Sequence, residues 1–119
     1  MTNGTRAWDS LAGLAALSGA CAVAAGAFGA HGASGEAAEL LKTGSHYQIV
    51  HALAALVALG RPWGRGAGWC FVAGGAAFAG SLYALALGAP HIVGVVTPLG
   101  GLALIVGWVM LAAGALRGA

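Results

Sequence analysis

Hydrophobic positions along this chain gather into four long runs, separated by short clusters of Gly, Pro, Ser, His and charged residues. The first run extends over about 10–30, close to the ~20 residues a helix needs to cross a ~30 Å hydrocarbon core. Asp9 or Ser10 can cap its start, where free backbone N–H groups need acceptors, and Trp8 falls at headgroup level. A polar stretch over about 31–45 follows, holding Glu36, Glu39 and Lys42. Within it Ser34-Gly35-Glu36 reads as a helix start, because an acid is favoured near a helix N-terminus. The second helix therefore starts outside the membrane and crosses it over about 44–60, an apolar part of ~16 residues or about 24 Å. Gly60-Arg61-Pro62 stops it, since proline cannot continue the hydrogen-bond ladder. The third run covers about 66–87 and ends at Gly88-Ala89-Pro90. Thr97-Pro98 then opens a fourth over about 97–116, with a hydroxyl at the N-cap and proline at the first helical position.

Composition turns this pattern into a membrane protein. Hydrophobic residues make up 60% of the 119 positions and charged residues 7%, whereas a soluble domain carries about 25% charged residues to keep its surface in water. The expected fold is all-α, a four-transmembrane-helix bundle forming a single integral membrane domain over 1–119. A cleaved leader is the competing reading of the first run. Leu17-Ser18-Gly19-Ala20-Cys21 has a faint lipoprotein-like pattern, but Ser18 stands where a large aliphatic residue is needed and the apolar run continues past Cys21. The segment reads as a retained helix.

Charge adds a direction. With four crossings Arg6, Arg61, Arg65 and Arg117 share one side, and only Lys42 lies on the other. The positive-inside rule then puts both termini in the cytoplasm. A net charge of +2, dispersed in this way, leaves no nucleic-acid footprint, which needs clustered Lys and Arg.

Helices in lipid associate by close packing and interhelical hydrogen bonds. Ala12, Gly19 and Gly26 recur every seven residues in the first helix, and Gly100, Gly107 and Gly114 do so in the fourth. That spacing keeps a small-residue seam on one face of a left-handed bundle. Gly74, Gly75 and Gly80 are expected to add a seam on the third helix. None reads as a phosphate loop, because no strand precedes them and no Lys-Ser or Lys-Thr follows.

Polar residues within the apolar runs concentrate toward the outer side. His31, His46 and His91 fall at the surface, and His51 lies inside it with Tyr47 four residues before it on one helical face. Counting depth puts His51 and Ser81 both about 9 Å below the surface. An ionisable group in a span rarely faces lipid, so His51 is expected to turn inward and bond a hydroxyl of the third helix, Ser81 or Tyr83. The candidate site is an outer-half polar pocket of His31, Tyr47, Gln48, His51, Ser81, Tyr83 and Thr97. The alternative is one buried histidine in an interhelical hydrogen bond among ordinary interfacial side chains.

No catalytic set is expected, because Asp9 belongs to the cytoplasmic side, away from the histidines. Glu36 and Glu39 read as a solvated helix face. No metal site is expected: His46 and His51 diverge on their helix, and Cys21 and Cys70 stand apart as small hydrophobes.

Several stretches resemble one family throughout. They are GAFGAHG at 26–32, YQIVHALA at 47–54, FAGSLYALAL at 78–87, and TPLGG at 97–101 followed by Gly107-Trp108. Together they resemble domain of unknown function 423, the YgdD-like small bacterial inner-membrane proteins. That resemblance implies four spans and no established activity, so it supplies no catalytic residues and no cofactor. Three functions stay open. The first is a non-enzymatic membrane component, with the bilayer and either further copies or other subunits of a complex as partners. The second is a transporter or channel for a proton, metal ion or small solute through the outer pocket. The third is a cofactor- or quinone-binding membrane protein.

Overall fold

A computed structural model describes residues 9–117. It consists of four long helices: α1 (Ser10–His31), α2 (Gly35–Ala58), α3 (Gly64–Ala86) and α4 (Val96–Leu116), with a short 3-10 turn (His91–Val95) leading into α4. Trp8 lies outside the described residues. The Asp9 carboxylate caps α1 by accepting from the Ala12 N–H at 3.2 Å. α2 begins at Gly35, whose φ of 60° is open to glycine without steric cost.

The start of α4 differs from the expectation. The chain is already coiled at His91, the helix proper begins at Val96, and Pro98 sits in its first turn. Proline is tolerated there because N–H groups of the first turn have no intrahelical acceptor. Thr97 is inside the helix and its hydroxyl pairs with Ser81 rather than capping.

α3 is the hub. It packs on α1, α2 and α4, while α2 packs on α1 and α3. α4 rests on α3 and is not packed along α2, so the bundle is a slab of 50 × 28 × 19 Å with a lateral groove between α2 and α4. The core is made mostly of small residues: Ala15, Ala54, Ala55, Ala58 and Ala67 around Phe71 and Leu104. Large side chains such as Leu17, Val23, Val57, Leu102, Ile105 and Val109 point outward. This inverts a soluble bundle and suits a hydrocarbon solvent, in which outward apolar groups cost nothing.

Glycine sets the helix approaches. A methyl added at Gly107 would sit 2.7 Å from the Phe71 ring, and one at Gly74 would sit 2.9 Å from Ala103 Cβ. At Gly100 it would run into the Phe78 backbone, and at Gly114 into the Pro62 carbonyl. Gly26 meets Ser45, and Gly19 lies in ordinary contact distance of Ile49 and Ala52. Gly75 faces the Cβ of His51 at 4.0 Å. Gly80 departs from its expected role, because a methyl there meets nothing within 4 Å. Six residues turn a helix by 600°, so Gly80 points about 120° away from the face that carries Gly74.

Three of the helices, α1, α3 and α4 with its leading turn, are long and apolar enough to cross a membrane. α2 carries Glu36, Glu39 and Lys42 in its first turns but runs beside α1 and α3 from Leu41, opposite Gly29, to Ala58, opposite Gly64. Both described ends of the chain lie at the α2–α3 corner. Asp9 pairs with Arg65 at 3.2 Å, and the Arg117 guanidinium lies over the Trp63 ring at 5.2 Å.

Candidate functional site

The expected pocket residues other than His31 separate into distinct hydrogen-bonded groups, each tying one helix to another. Gln48, 6% exposed, lies between α1 and α3. Its amide donates to Ser18 Oγ at 3.1 Å and its carbonyl accepts from Tyr83 Oη at 2.7 Å. One side chain thereby joins three helices. A turn earlier in α2, Ser45 donates to the Ala22 carbonyl of α1 at 2.7 Å. Ser81 on α3 donates to the Phe78 carbonyl at 2.8 Å and shares a short hydrogen bond with Thr97 of α4.

His51 forms the remaining group. Its ring is buried, with Nδ1 2.7 Å from the Tyr47 carbonyl and Nε2 2.9 Å from Trp108 Nε1. An indole N–H can only donate and a carbonyl can only accept. The proton therefore sits on Nδ1, Nε2 is the acceptor, and the imidazole is neutral in this arrangement. Phe71 lies against both rings, with centroids 5.6 Å from His51 and 4.8 Å from Trp108.

His51 does face the protein, but its partner is not the expected Ser81 or Tyr83. Its Cβ lies opposite Gly75, six residues and about 9 Å from Ser81 along α3. The depth count failed because α2 starts outside the apolar layer, so its register against α3 is not fixed by where its apolar part begins. Two other members also fall outside a common pocket. His31 is exposed at the end of α1, and the Tyr47 ring is 42% exposed, contributing only its carbonyl to the polar group. Trp108, Ser18 and Ser45 complete these groups and were not among the candidates. Trp108 has one N–H on a large apolar body, so it reads as a hydrophobic position. Its place twelve residues into α4, far from an interface, is the signal that could have singled it out.

The groove between α2 and α4 is a concave feature of about 540 Å³, walled by Tyr47, His51, Phe78, Gly101, Ile105 and Trp108. Its walls are apolar except for the Tyr47 phenol and for His51, whose two ring nitrogens already have partners. Near the α1–α2 connection, Glu36 and His91 border a second cavity of about 300 Å³. Among the described residues no three His, Cys, Asp or Glu side chains converge on a metal position. The sulfurs of Cys70 and Met110 touch at 3.8 Å between α3 and α4. At the opposite end of the molecule the Arg65 guanidinium, helped by the Ala12 N–H, holds the Asp9 carboxyl below its usual range.

Comparison with known proteins finds relatives named as membrane proteins. The model of a family described as "Protein of unknown function (DUF423)" matches residues 25–101. The UPF0382 membrane protein YwdK of Bacillus subtilis is 39% identical over 82 residues, covering 63% of this chain and 67% of its own. The UPF0382 inner membrane protein YgdD of Escherichia coli is 41% identical over 83 residues, 65% of this chain and 63% of its own. A UPF0382 membrane protein of Haemophilus influenzae is 40% identical over 86 residues, 68% and 69% of the two chains. The matched stretch thus spans about three-fifths to two-thirds of these relatives' length. No solved structure matches.

Proposed function

The chain belongs to the DUF423 family of membrane proteins of unknown function, and from that premise we propose that it is a non-enzymatic structural component of the bacterial inner membrane. In this reading it crosses four times with both termini in the cytoplasm. The carrying observation is that the polar groups in its interior are used up in holding helices together. Gln48, His51 and Ser81 are the buried polar side chains among the described residues, and each bonds another helix. Among the described residues no buried side-chain nitrogen or oxygen lacks a partner. A conduction path or a polar ligand site needs groups free to bind the passenger, and these are committed.

The reading assigns the arginine-rich end to the cytoplasm, because Arg61, Arg65 and Arg117 gather there and Lys42 lies toward the other end. α2 is the fourth crossing in this reading, shielded from lipid by α1 and α3 on two sides. Native mass spectrometry of gently extracted full-length protein, with proton and metal flux measured in proteoliposomes, tests it. The expected result is protein partners or self-assembly, with flux equal in the parent and in His51→Ala. Flux that disappears in His51→Ala would replace this reading with transport.

A further inference from the structure

The groove between α2 and α4 has dimensions and chemistry that select an occupant. We propose that it holds one hydrocarbon chain of a membrane glycerolipid, drawn from the leaflet on the side of the α3–α4 connection.

Length is the first argument. The groove runs along α4 from Pro98, in its first turn, to Trp108. Ten residues of helix measure about 15 Å, which is half of a ~30 Å hydrocarbon core and so the depth of one leaflet. The groove is also blind. At its inner end the Trp108 indole reaches across to His51 at 2.9 Å and closes the gap between α4 and α2. A lipid chain that ends near the bilayer midplane fits such a stop. A transmembrane helix, which must continue through the other leaflet, would have to ride over the indole.

Area argues the same way. A strip about 15 Å long and about 10 Å wide, one helix diameter, offers on the order of 150 Å², far short of the ~800 Å² per partner of a stable protein interface. Chemistry completes the case. The walls are the apolar faces of Phe78, Leu104 and Ile105; the imidazole has no free nitrogen to offer, and the Tyr47 phenol is the other polar group in the lining. Gly101 keeps the floor open: a methyl there would only reach ordinary contact with the Phe78 ring, at 3.7 Å, so a larger side chain would project into the space the lipid takes. This site is independent of which side of the membrane is cytoplasmic.

The test uses full-length protein reconstituted with dioleoyl phosphatidylglycerol and examined by native mass spectrometry at collision energies that strip loosely held lipid. The parent should retain one lipid per chain. Gly101→Leu and Leu102→Trp, which fill the groove from its floor and its rim, should each lower the retained fraction about tenfold. Gly13→Leu, at an α1 position with open space beside it, should retain lipid as the parent does. Circular dichroism identifies any variant that has not folded, and Leu102, already exposed, takes a larger side chain without disturbing the core. Equal retention in the parent and the folded filling variants would overturn the proposal. So would loss in Gly13→Leu, or a dimer that both filling variants dissolve, which would make a second copy the occupant.

Discussion

At the scale of single residues, the membrane makes a few hydrogen bonds informative. Trp108 and His51 meet across a gap that the backbones of α2 and α4 leave unpacked. Interhelical hydrogen bonds in membranes average about 0.6 kcal/mol with a maximum near 1.7 kcal/mol, because the unfolded chain in lipid also finds partners. A double-mutant cycle of His51→Phe and Trp108→Phe, read by reversible denaturant unfolding in micelles, should return a coupling in that range. A coupling of zero would mean the contact does not hold α4. Gln48→Leu should cost more, about 1–3 kcal/mol, because it strands the Ser18 and Tyr83 hydroxyls together. Outside the membrane, Asp9 titrates below its usual value because Arg65 favours its charged form. A depressed carboxyl contributes stability above its unfolded pKa, near 4, and the contribution is lost as pH falls through the folded value. NMR titration should show the Asp9 midpoint moving up in Arg65→Ala, with little change in stability, since an exposed pair is weak.

At the scale of elements, glycine explains both how far the fold was legible and where legibility stopped. The series Gly100, Gly107 and Gly114 on α4 is periodic in sequence, and each member meets α3 or the α2–α3 corner where a methyl does not fit. The α3 glycines are less readable, because 74, 75 and 80 share no period and only geometry separates the packed ones from Gly80. The same limit applied to the polar groups. That Gln48, His51 and Ser81 would turn inward was visible, since lipid excludes them, but Tyr47 stayed half-exposed and the partners depended on helix register, which no local pattern encodes. The α2–α3 corner was equally hidden. Trp63 holds a left-handed φ of 62°, costly for a bulky residue, and Gly64 follows because a Cβ would overlap the Ala58 carbonyl. Gly64→Ala and Gly107→Ala should therefore destabilise by about 1–3 kcal/mol through overpacking. Gly80→Ala and Gly13→Ala should be neutral or slightly stabilising, as alanine in an open helix position gains up to about 0.5–1 kcal/mol. Thermal unfolding in one detergent ranks all four, and a penalty at Gly80 equal to that at Gly107 would contradict the packing described.

At the scale of the whole molecule, the two ends differ in charge and in construction. Asp9 with Arg65 and Arg117 with Trp63 draw the described chain ends to the α2–α3 corner, which requires an even number of crossings if that end is on one side of a membrane. Two crossings would leave two of the long helices outside the hydrocarbon, where outward Leu17, Val57, Leu102 and Ile105 would face water. The four crossings proposed above avoid that cost. Which side the corner occupies then depends on basic residues, and orientation follows the count of Lys and Arg rather than net charge, so the Asp9 partner does not cancel Arg65. The sequence sets Arg6, Arg61, Arg65 and Arg117 against Lys42. Replacing Arg65 alone leaves three against one and should keep a C-terminal reporter cytoplasmic. Replacing Arg61, Arg65 and Arg117 with Ser leaves one against one, and the population should divide between both orientations. A C-terminal fusion that fluoresces only in the cytoplasm, paired with one active only outside it, reads both states. A triple variant that stays uniformly oriented would show that something other than these arginines sets the topology.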